Sequence, residues 1–190
     1  RQVFDGALAQ DCTLCGVRTR LLLCAACDAD LPRMPDVACP QCGEWSPEGD
    51  RCGQCISAPP HFDATVAALR YEFPVDKLMQ AFKFRAQLSL AEFFAKALAR
   101  RMAATAAEFD EVVPMPMASA RLAQRGYDQT TLIAEALVRE LPTLVLLRRL
   151  TKLRDTPPQS GLDREARLKN VRGAFECTRN LTGRHVAILD

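Results

Sequence analysis

Eight of the nine cysteines lie within the first 55 residues, and they are arranged as Cys-x-x-Cys pairs. The pairs are Cys12/Cys15, Cys24/Cys27, Cys39/Cys42 and Cys52/Cys55. Two residues between cysteines let both sulfurs of a tight turn reach one metal ion, and two such turns complete a tetrahedral ligand set. The pattern therefore predicts two zinc sites. Their role should be structural, because four protein ligands leave no position for water or substrate.

Three other uses of these cysteines compete with zinc. Four disulfides would suit a small secreted scaffold, but no hydrophobic signal-peptide core occurs near the start of the sequence. Iron–sulfur clusters also take four thiolates, yet paired turns on short hairpins favour zinc. Thioredoxin-like redox chemistry needs one pair at the start of a helix rather than four pairs. If pairs that are neighbours in the sequence share a metal, the two sites are Cys12–Cys27 and Cys39–Cys55; an interleaved pairing stays open. The ninth cysteine, Cys177, is expected to be a buried small apolar side chain.

A second group of residues could hold an anion. Residues 112–116 predict a strand that ends in a prolyl pair, and a basic loop with Arg121, Arg125 and Gly126 follows. Asp128 is the expected N-cap of the next helix. Backbone N–H groups, the helix dipole and arginines all favour a negative charge at such a junction. The competing interpretation is an ordinary strand–loop–helix unit whose arginines are merely solvated.

The distribution of charge and of breaking residues predicts two domains. The net charge is +2 overall, but residues 1–60 sum to −3 and residues 61–190 to +5. A basic second part can meet phosphates, although a solvated surface explains a modest asymmetry nearly as well. The Ser57–Pro60 segment marks a boundary, so we expect domains at 1–58 and 59–190. No apolar run approaches the length of a membrane-spanning helix, and we expect a cytoplasmic protein.

After the boundary, strand and helix patterns alternate. Alternating apolar residues predict a strand over 65–73, and Pro74 opens a helix. Ser89 and Glu92 form the pattern of a capping box at the start of the next helix.

The last third of the chain continues this alternation. We expect a second strand over 143–150, a mobile polar loop within 148–172 that ends in a short helix near Asp163, and a buried strand over 185–190. Alternation of this kind predicts an α/β fold with a mainly parallel sheet. Ligands bind at the carboxyl ends of the strands of such sheets, where Asp190 and the Arg125 loop would meet.

The 148–172 segment is also the most basic part of the chain. Its candidate nucleic-acid contacts are Arg148, Arg149, Lys152, Arg154, Arg164, Arg167 and Lys169. Such cations could neutralise the phosphates of single-stranded DNA. The segment has no aromatic residues, which counts against a strong platform for stacking bases.

These residues together resemble the ComF family of bacterial proteins, also described as GntX-like. The resemblance rests on the cysteine pairs, Lys83-Phe84, Val113–Pro116, Arg121, Arg125–Gln129, Thr156–Gln159, Leu162, Arg167, Asn170 and Gly173–Phe175. It spans nearly the whole chain. The family more often has Phe and Asn where this chain has Tyr127 and Asp128.

The resemblance implies a double zinc ribbon followed by a type I phosphoribosyltransferase-like (Rossmann-like) domain. It matches the segment with Arg121, Arg125, Gly126 and Gln129 to the loop that binds the pyrophosphate of phosphoribosyl pyrophosphate. Residues 151–172 match a flexible loop that closes over this ligand, which carries magnesium. Asp190 matches the first acid of Asp-Asp-x-x-Thr-Thr-Gly. Since the sequence stops there, we expect the domain to be incomplete at its C-terminus.

Three functional hypotheses follow. The first is an accessory protein of natural competence that handles incoming single-stranded DNA, works with other proteins of DNA uptake and binds phosphoribosyl pyrophosphate. The second is a phosphoribosyltransferase with an unknown acceptor, which would act by positioning and charge stabilisation. The third is a zinc-ribbon adaptor with a catalytically idle transferase fold.

Overall fold

A computed structural model describes residues 9–105, 108–157, 159 and 161–190. The chain divides into two compact units, residues 1–107 and residues 108–190. Residues 59–107 therefore group with the cysteine-rich segment in this division. The domain limits 1–58 and 59–190 stay a prediction from the sequence.

The first unit begins with short elements that frame the cysteines. In chain order these are strands β1 (Gln10–Asp11) and β2 (Arg18–Thr19) and helices α1 (Ala25–Ala29) and α2 (Gly53–Ser57). The two strands pair antiparallel, and each short helix begins directly after a cysteine that serves as its N-cap. Elements this short bury little apolar surface, so metal binding has to supply much of the local folding free energy.

Two longer helices form the rest of the first unit. They are α3 (Val75–Phe84), which begins after Pro74 as predicted, and α4 (Leu90–Ala103). Phe82 of α3 and Phe94 of α4 pack with their ring centroids 5.9 Å apart. The side chain of Ser89 makes no capping hydrogen bond, so the predicted capping box is wrong.

The strand predicted over 65–73 is also wrong. Within this segment only Leu69 forms a bridge, an isolated one to Arg33. Tyr71 and Phe73, which the alternation placed on a buried face, are 68% and 76% exposed. The segment's backbone bonds to residues 32–34 form a single bridge rather than a ladder, so the alternation does not produce a strand.

Side-chain hydrogen bonds join the cysteine-rich segment to the helices of the same unit. Gln87 Nε2 donates to Thr13 Oγ1 at 3.0 Å. Arg101 donates to a carboxylate oxygen of Asp36 at 2.9 Å and to the carbonyl of Pro35 at 3.0 Å. The position of α4 is therefore linked to the segment between the two cysteine groups.

The second unit contains the parallel sheet. In chain order its elements are β3 (Glu111–Pro114), α5 (Ser119–Arg125), α6 (Gln129–Glu140), β4 (Val145–Leu146), β5 (Leu150–Lys152), α7 (Arg164–Val171), β6 (Phe175–Cys177) and β7 (Val186–Leu189). The sheet order is β4-β3-β7, and both pairings are parallel. Val112 and Val113 of the central strand are buried. The expected α/β character with a small parallel sheet is confirmed.

Several local predictions in this unit need correction. The segment with Arg121 and Arg125 forms helix α5 rather than a loop. Instead of one strand over 143–150, the chain forms β4, which pairs with β3 in the parallel sheet, and then β5, which pairs antiparallel with β6 in a separate two-stranded sheet. Strand β7 is only half-buried, and Ile188 is 66% exposed.

The short helix near Asp163 is confirmed. Asp163 caps α7 by accepting a hydrogen bond from Ala166 N at 2.8 Å. Pro158 of the resemblance motif lies outside the described residues, as does the side chain of Arg164. No helix in the described part of the chain combines the length and apolar character needed to cross a bilayer.

Candidate metal centres and anion-binding edge

The eight paired cysteines converge in two groups of four. Cys12, Cys15, Cys24 and Cys27 form one group and Cys39, Cys42, Cys52 and Cys55 the other, and within each group the sulfurs lie within 4.8 Å of one another. This is the pairing of sequence neighbours. It contradicts the interleaved alternative.

The two groups repeat the same backbone geometry. The N–H of Cys24 donates to Cys12 Sγ at 3.3 Å, and the N–H of Cys52 donates to Cys39 Sγ at 3.3 Å. After each first pair, the turn closes through a glycine with positive φ, 75° at Gly16 and 78° at Gly43. A side chain at such a φ is strained, which explains why glycine follows the second cysteine of both turns.

The sulfur separations fit a tetrahedral ion. Cys15 Sγ lies 3.7 Å from Cys24 Sγ, and Cys42 Sγ lies 3.6 Å from Cys52 Sγ. Four sulfurs at about 2.3 Å from a central zinc would be about 3.8 Å apart. A disulfide needs about 2.05 Å, and all nine cysteines are free thiols. The two groups therefore fit two structural zinc sites, and the disulfide alternative is contradicted.

The environment of each group favours negative sulfur at its first cysteine. Burial alone would raise the pKa of Cys12, but backbone N–H groups of Cys15 and Cys24 outweigh it and lower the pKa from 9.0 to about 6. Backbone N–H groups of Cys42 and Cys52 likewise lower the pKa of Cys39 to about 6. These N–H groups would stabilise a metal-bound thiolate in the same way.

The last cysteine of each group shows the opposite shift. Hydrogen bonds with the sulfurs of Cys15 and Cys24 raise the pKa of Cys27. Burial, together with sulfur neighbours, raises the pKa of Cys55 to about 12. Four clustered thiols cannot all ionise without a cation, because each thiolate disfavours the next. A divalent metal supplies the missing positive charge and displaces these protons.

The predicted anion site lies where β3, β7 and α6 meet, and we call it the carboxyl edge (residues 115–118 and 126–130 with Asp190). The N–H of Met115 donates to the carbonyl of Leu189 at 2.8 Å, so β3 and β7 end side by side. Thr130 Oγ1 lies within hydrogen-bond distance of the carbonyl of Met115, at 2.8 Å. Asp190 follows β7 directly, and its side chain is exposed.

Asp128 connects the two chain segments of the carboxyl edge. Its Oδ1 accepts from Thr131 N at 3.2 Å, which confirms its role as the N-cap of α6. Its Oδ2 accepts from Met117 N at 3.3 Å, and its Oδ1 lies 2.6 Å from Thr130 Oγ1, whose single proton can go to Oδ1 or to the carbonyl of Met115. One carboxylate thus holds the helix N-terminus against the loop that follows β3.

The predicted phosphate ligands occupy different environments around this edge. Arg121 and Arg125 are half-buried on α5, and Gly126 ends that helix with φ 83°. Gln129 is the first residue of α6 and only 6% exposed. Its Nε2 is buried and makes no hydrogen bond with the described residues. A buried donor without an acceptor costs about 1–3 kcal/mol, so a ligand acceptor there would be favourable.

A polar cavity of about 470 Å³ lies beside this edge. It is lined by Pro116, Met117, Ser119 and residues 150–155, which include Lys152 and Arg154. Ser119 and the β5 residues were not among the predicted phosphate ligands. Residues 151–155 belong to the segment that the resemblance matches to the loop closing over the ligand, whereas nothing in the sequence singles out Ser119.

The predicted nucleic-acid cations divide into two classes. Arg148 pairs with Glu135, and Lys169 pairs with Glu165 at 2.8 Å, so a carboxylate neutralises each of them. Three of the others contact neutral groups. Arg154 donates to the carbonyls of Asn170 (2.9 Å) and Arg172 (3.0 Å), Arg167 donates to the carbonyl of Leu162 (2.9 Å), and Lys152 lies 5.6 Å from the Phe175 ring centroid. The side chain of Arg149 is exposed and makes no hydrogen bond or ion pair within the described residues.

Two further features were not predicted. Cys177 is exposed rather than buried, and its sulfur donates to the carbonyl of Arg179 at 3.3 Å. Glu111, at the start of the central strand, is 1% exposed and pairs with Arg179 at 3.3 Å and Arg184 at 3.4 Å. Both arginines precede β7, so this cluster fixes the approach of β7 to the sheet. The pairing spans 73 residues in the case of Arg184, and no local pattern announces it.

The fold and sites define a class of protein: two tetracysteine metal ribbons combined with a mixed α/β unit built on a parallel sheet. In agreement with the geometry, residues 3–56 match the double zinc ribbon domain family. The chain therefore contains a double zinc ribbon domain.

Similarity to curated proteins extends beyond the ribbons. The chain is 29% identical to the DNA utilization protein YhgH of Salmonella typhi over 94% of this chain and 82% of that protein. It is 28% identical to YhgH of Escherichia coli K12 and 29% identical to Competence protein F of Haemophilus influenzae, in both cases over 88% of this chain and 76% of the relative. These relatives confirm the resemblance to the ComF family. No solved structure matches the chain significantly.

Proposed function

We propose that this protein is a cytoplasmic accessory factor of DNA uptake or utilization that binds single-stranded DNA through the basic residues of its second unit. One observation carries the proposal. Four of the predicted cations, Lys152, Arg154, Arg167 and Arg149, have no carboxylate partner within the described residues. Their positive charge is therefore available to phosphates.

The neutral partners matter because they order the side chains without cancelling the charge. Two carbonyl acceptors hold the guanidinium of Arg154, yet donors of a guanidinium remain for a phosphate oxygen. A cation that is ordered in advance loses less side-chain entropy on binding than a mobile one. This arrangement supports a phosphate-contacting surface better than a set of ion-paired surface cations does.

The relatives support the same assignment. Their names attribute DNA utilization and competence to proteins that match most of this chain. Within this proposal the zinc ribbons are structural, and proteins of the uptake machinery are the expected partners. The exposed ribbon surface offers room for such contacts, since Trp45 is 70% exposed.

Binding of a fluorescent oligothymidine to the full chain, measured by anisotropy at increasing salt, tests the proposal. Arg149→Gln should weaken binding and reduce the slope of log K against log salt by about 0.7 for each phosphate that the variant no longer neutralises. Arg148→Gln is the matched control: it removes the same charge from the adjacent residue, but Glu135 already pairs with that arginine. Affinity that does not respond to salt, or equal effects of the two variants, would reject direct binding of phosphate by Arg149.

A second candidate function is supported by Gln129. The buried unpaired Nε2 lies at the start of a twelve-residue helix whose N-terminus favours anions. We propose that the carboxyl edge binds a phosphorylated sugar of the phosphoribosyl pyrophosphate class, with magnesium supplied with the ligand. The half-buried Arg121 and Arg125 and the adjacent polar cavity are compatible with such a ligand.

Thermal unfolding with and without phosphoribosyl pyrophosphate and magnesium tests this second candidate. The ligand should raise Tm for the native chain by mass action. Gln129→Leu should raise the Tm of the ligand-free protein, because it removes an unsatisfied donor, and should diminish the ligand-induced shift. Release of pyrophosphate with candidate bases would indicate a transferase. Absence of any response to DNA and to this ligand would leave the adaptor hypothesis as the best account.

A further inference from the structure

Aromatic rings are exposed near both ends of helix α3. Phe73, two residues before the helix, is 76% exposed, and Phe84, its last residue, is 73% exposed. Tyr71 is 68% exposed in the segment that leads into the helix. Rings of this size are normally buried, so a cluster of exposed ones indicates a binding surface.

The face between the rings is polar and carries a cation. Lys77, Gln80 and Phe84 follow one another at spacings of three and four residues, which places them on one side of a helix, and all three are exposed. The opposite side of α3 is the buried one, with Val75, Leu78, Ala81 and Phe82. We call the exposed set Phe73, Lys77, Gln80 and Phe84 the α3 strip.

Cations flank the rings of the α3 strip. Lys83 precedes Phe84 and the exposed Arg85 follows it, while Arg70 precedes Tyr71. Over residues 70–85 four cations stand against two carboxylates, Glu72 and Asp76. The carboxylates pair with Arg70 at 3.4 Å and with Lys77 at 3.4 Å, so Lys83 and Arg85 keep their charge.

We propose that the α3 strip is a stacking platform for unpaired bases of a single-stranded nucleic acid, with Lys83 and Arg85 along the phosphate backbone. The inference rests on the proposed binding of single-stranded DNA and adds a site in the first unit. It supplies the aromatic component that residues 148–172 lack. Cations beside exposed rings are the combination by which proteins bind single strands without sequence preference.

The dimensions of the α3 strip suit this ligand. Ten helical residues span about 15 Å, a length that a few nucleotides of a single strand can cover. Sites on other single-strand-binding folds cover about 4–16 nucleotides. A purely apolar protein partner would leave the interleaved cations desolvated at a cost, whereas phosphates pair with them.

Hydrogen bonds link this helix to the ribbons. Gln87, just beyond α3, donates to Thr13 within the first cysteine turn, and Arg70 N donates to the carbonyl of Pro32 between the two ribbons. Zinc binding in the first unit would therefore stabilise the segment that carries the rings. Rings fixed in position lose little entropy on stacking.

The test is binding of fluorescent oligothymidine to the full, zinc-loaded chain. The double variant Phe73→Ala and Phe84→Ala should bind about 5- to 150-fold more weakly for each ring removed, at an unchanged salt slope because no cation is removed. Phe84→Tyr should retain affinity, since it keeps an aromatic face. Leu21→Ala is the matched control: it removes an apolar side chain of the same unit that is 64% exposed, and it should bind like the native chain.

The possible outcomes distinguish a failure of the α3 strip proposal from a failure of the proposed binding of single-stranded DNA. If the native chain binds oligothymidine but the double variant binds equally well, the α3 strip is not a platform and the basic surface of the second unit stands. If the native chain does not bind at all, both proposals fall. Unchanged zinc content and circular dichroism would show that the double variant is folded, as expected for substitution of exposed side chains.

Discussion

Asp128 should be worth more to stability than an ordinary helix cap, because its two oxygens serve two chain segments. Replacement by alanine removes the cap to Thr131 N, typically about 1 kcal/mol. It also removes the acceptor of Met117 N, at about 0.5–1.5 kcal/mol, whereas Thr130 Oγ1 keeps the carbonyl of Met115 as an acceptor. We expect Asp128→Ala to lower the free energy of unfolding by roughly 1.5–2.5 kcal/mol.

Asparagine at the same position separates the two roles. Its Oδ1 can still accept from Thr131 N and Thr130 Oγ1, but its Nδ2 is a donor and cannot accept from Met117 N. Asp128→Asn should therefore cost only about 1 kcal/mol.

Urea unfolding followed by circular dichroism measures both changes, with the slope m checked for constancy. Asp163→Ala is the matched control, because Asp163 caps α7 through a single bond to Ala166 N and touches no second segment by an acceptor bond among the described residues. It should cost no more than about 1 kcal/mol. A loss below about 0.5 kcal/mol for Asp128→Ala, or equal losses for the alanine and asparagine variants, would refute the bridging role.

Three further predictions concern thiols and titration. Elemental analysis should find two zinc ions per chain. The affinity for zinc should fall as the pH falls, because binding must displace protons from thiols such as Cys27 and Cys55, whose pKa values are raised. A zinc affinity that does not change with pH would contradict this. In the zinc-loaded protein a thiol reagent should modify one cysteine, Cys177, and after chelation in denaturant it should modify all nine. Protection of Cys177 from the reagent in the zinc-loaded protein would contradict its exposure. The backbone N–H of His185, and after it the charge of Arg184, hold the pKa of Asp110 below 3.8 in the folded protein. Asp110→Asn should therefore destabilise the protein above pH 3.8, and this difference should disappear once the pH has fallen through the lowered pKa of the folded state. A constant difference between the urea midpoints of the two proteins across this pH range would contradict the linkage.

Features that depend on residues close in the sequence could be predicted. The cysteine spacing determines the identity of the metal ligands, since each Cys-x-x-Cys turn is complete within a few residues. The N-cap Asp128, the helix start near Asp163 and the start of α3 at Pro74 follow from the same locality, although the equally local capping box predicted at Ser89 does not form. The order of strands and helices was sufficient to indicate the parallel sheet.

Features that depend on partners distant in the sequence could not. Arg148 and Arg149 are adjacent and chemically identical, yet only the fold brings Glu135 to the first of them. The burial of Gln129, the exposure of Cys177 and the failure of residues 65–73 to form a strand are of the same kind. The sequence by itself determined which groups could bind metal and cap helices, because those interactions close within one turn. Tertiary packing alone decided which charges and rings remain available to a ligand, because neutralisation and burial require neighbours that only the folded chain supplies.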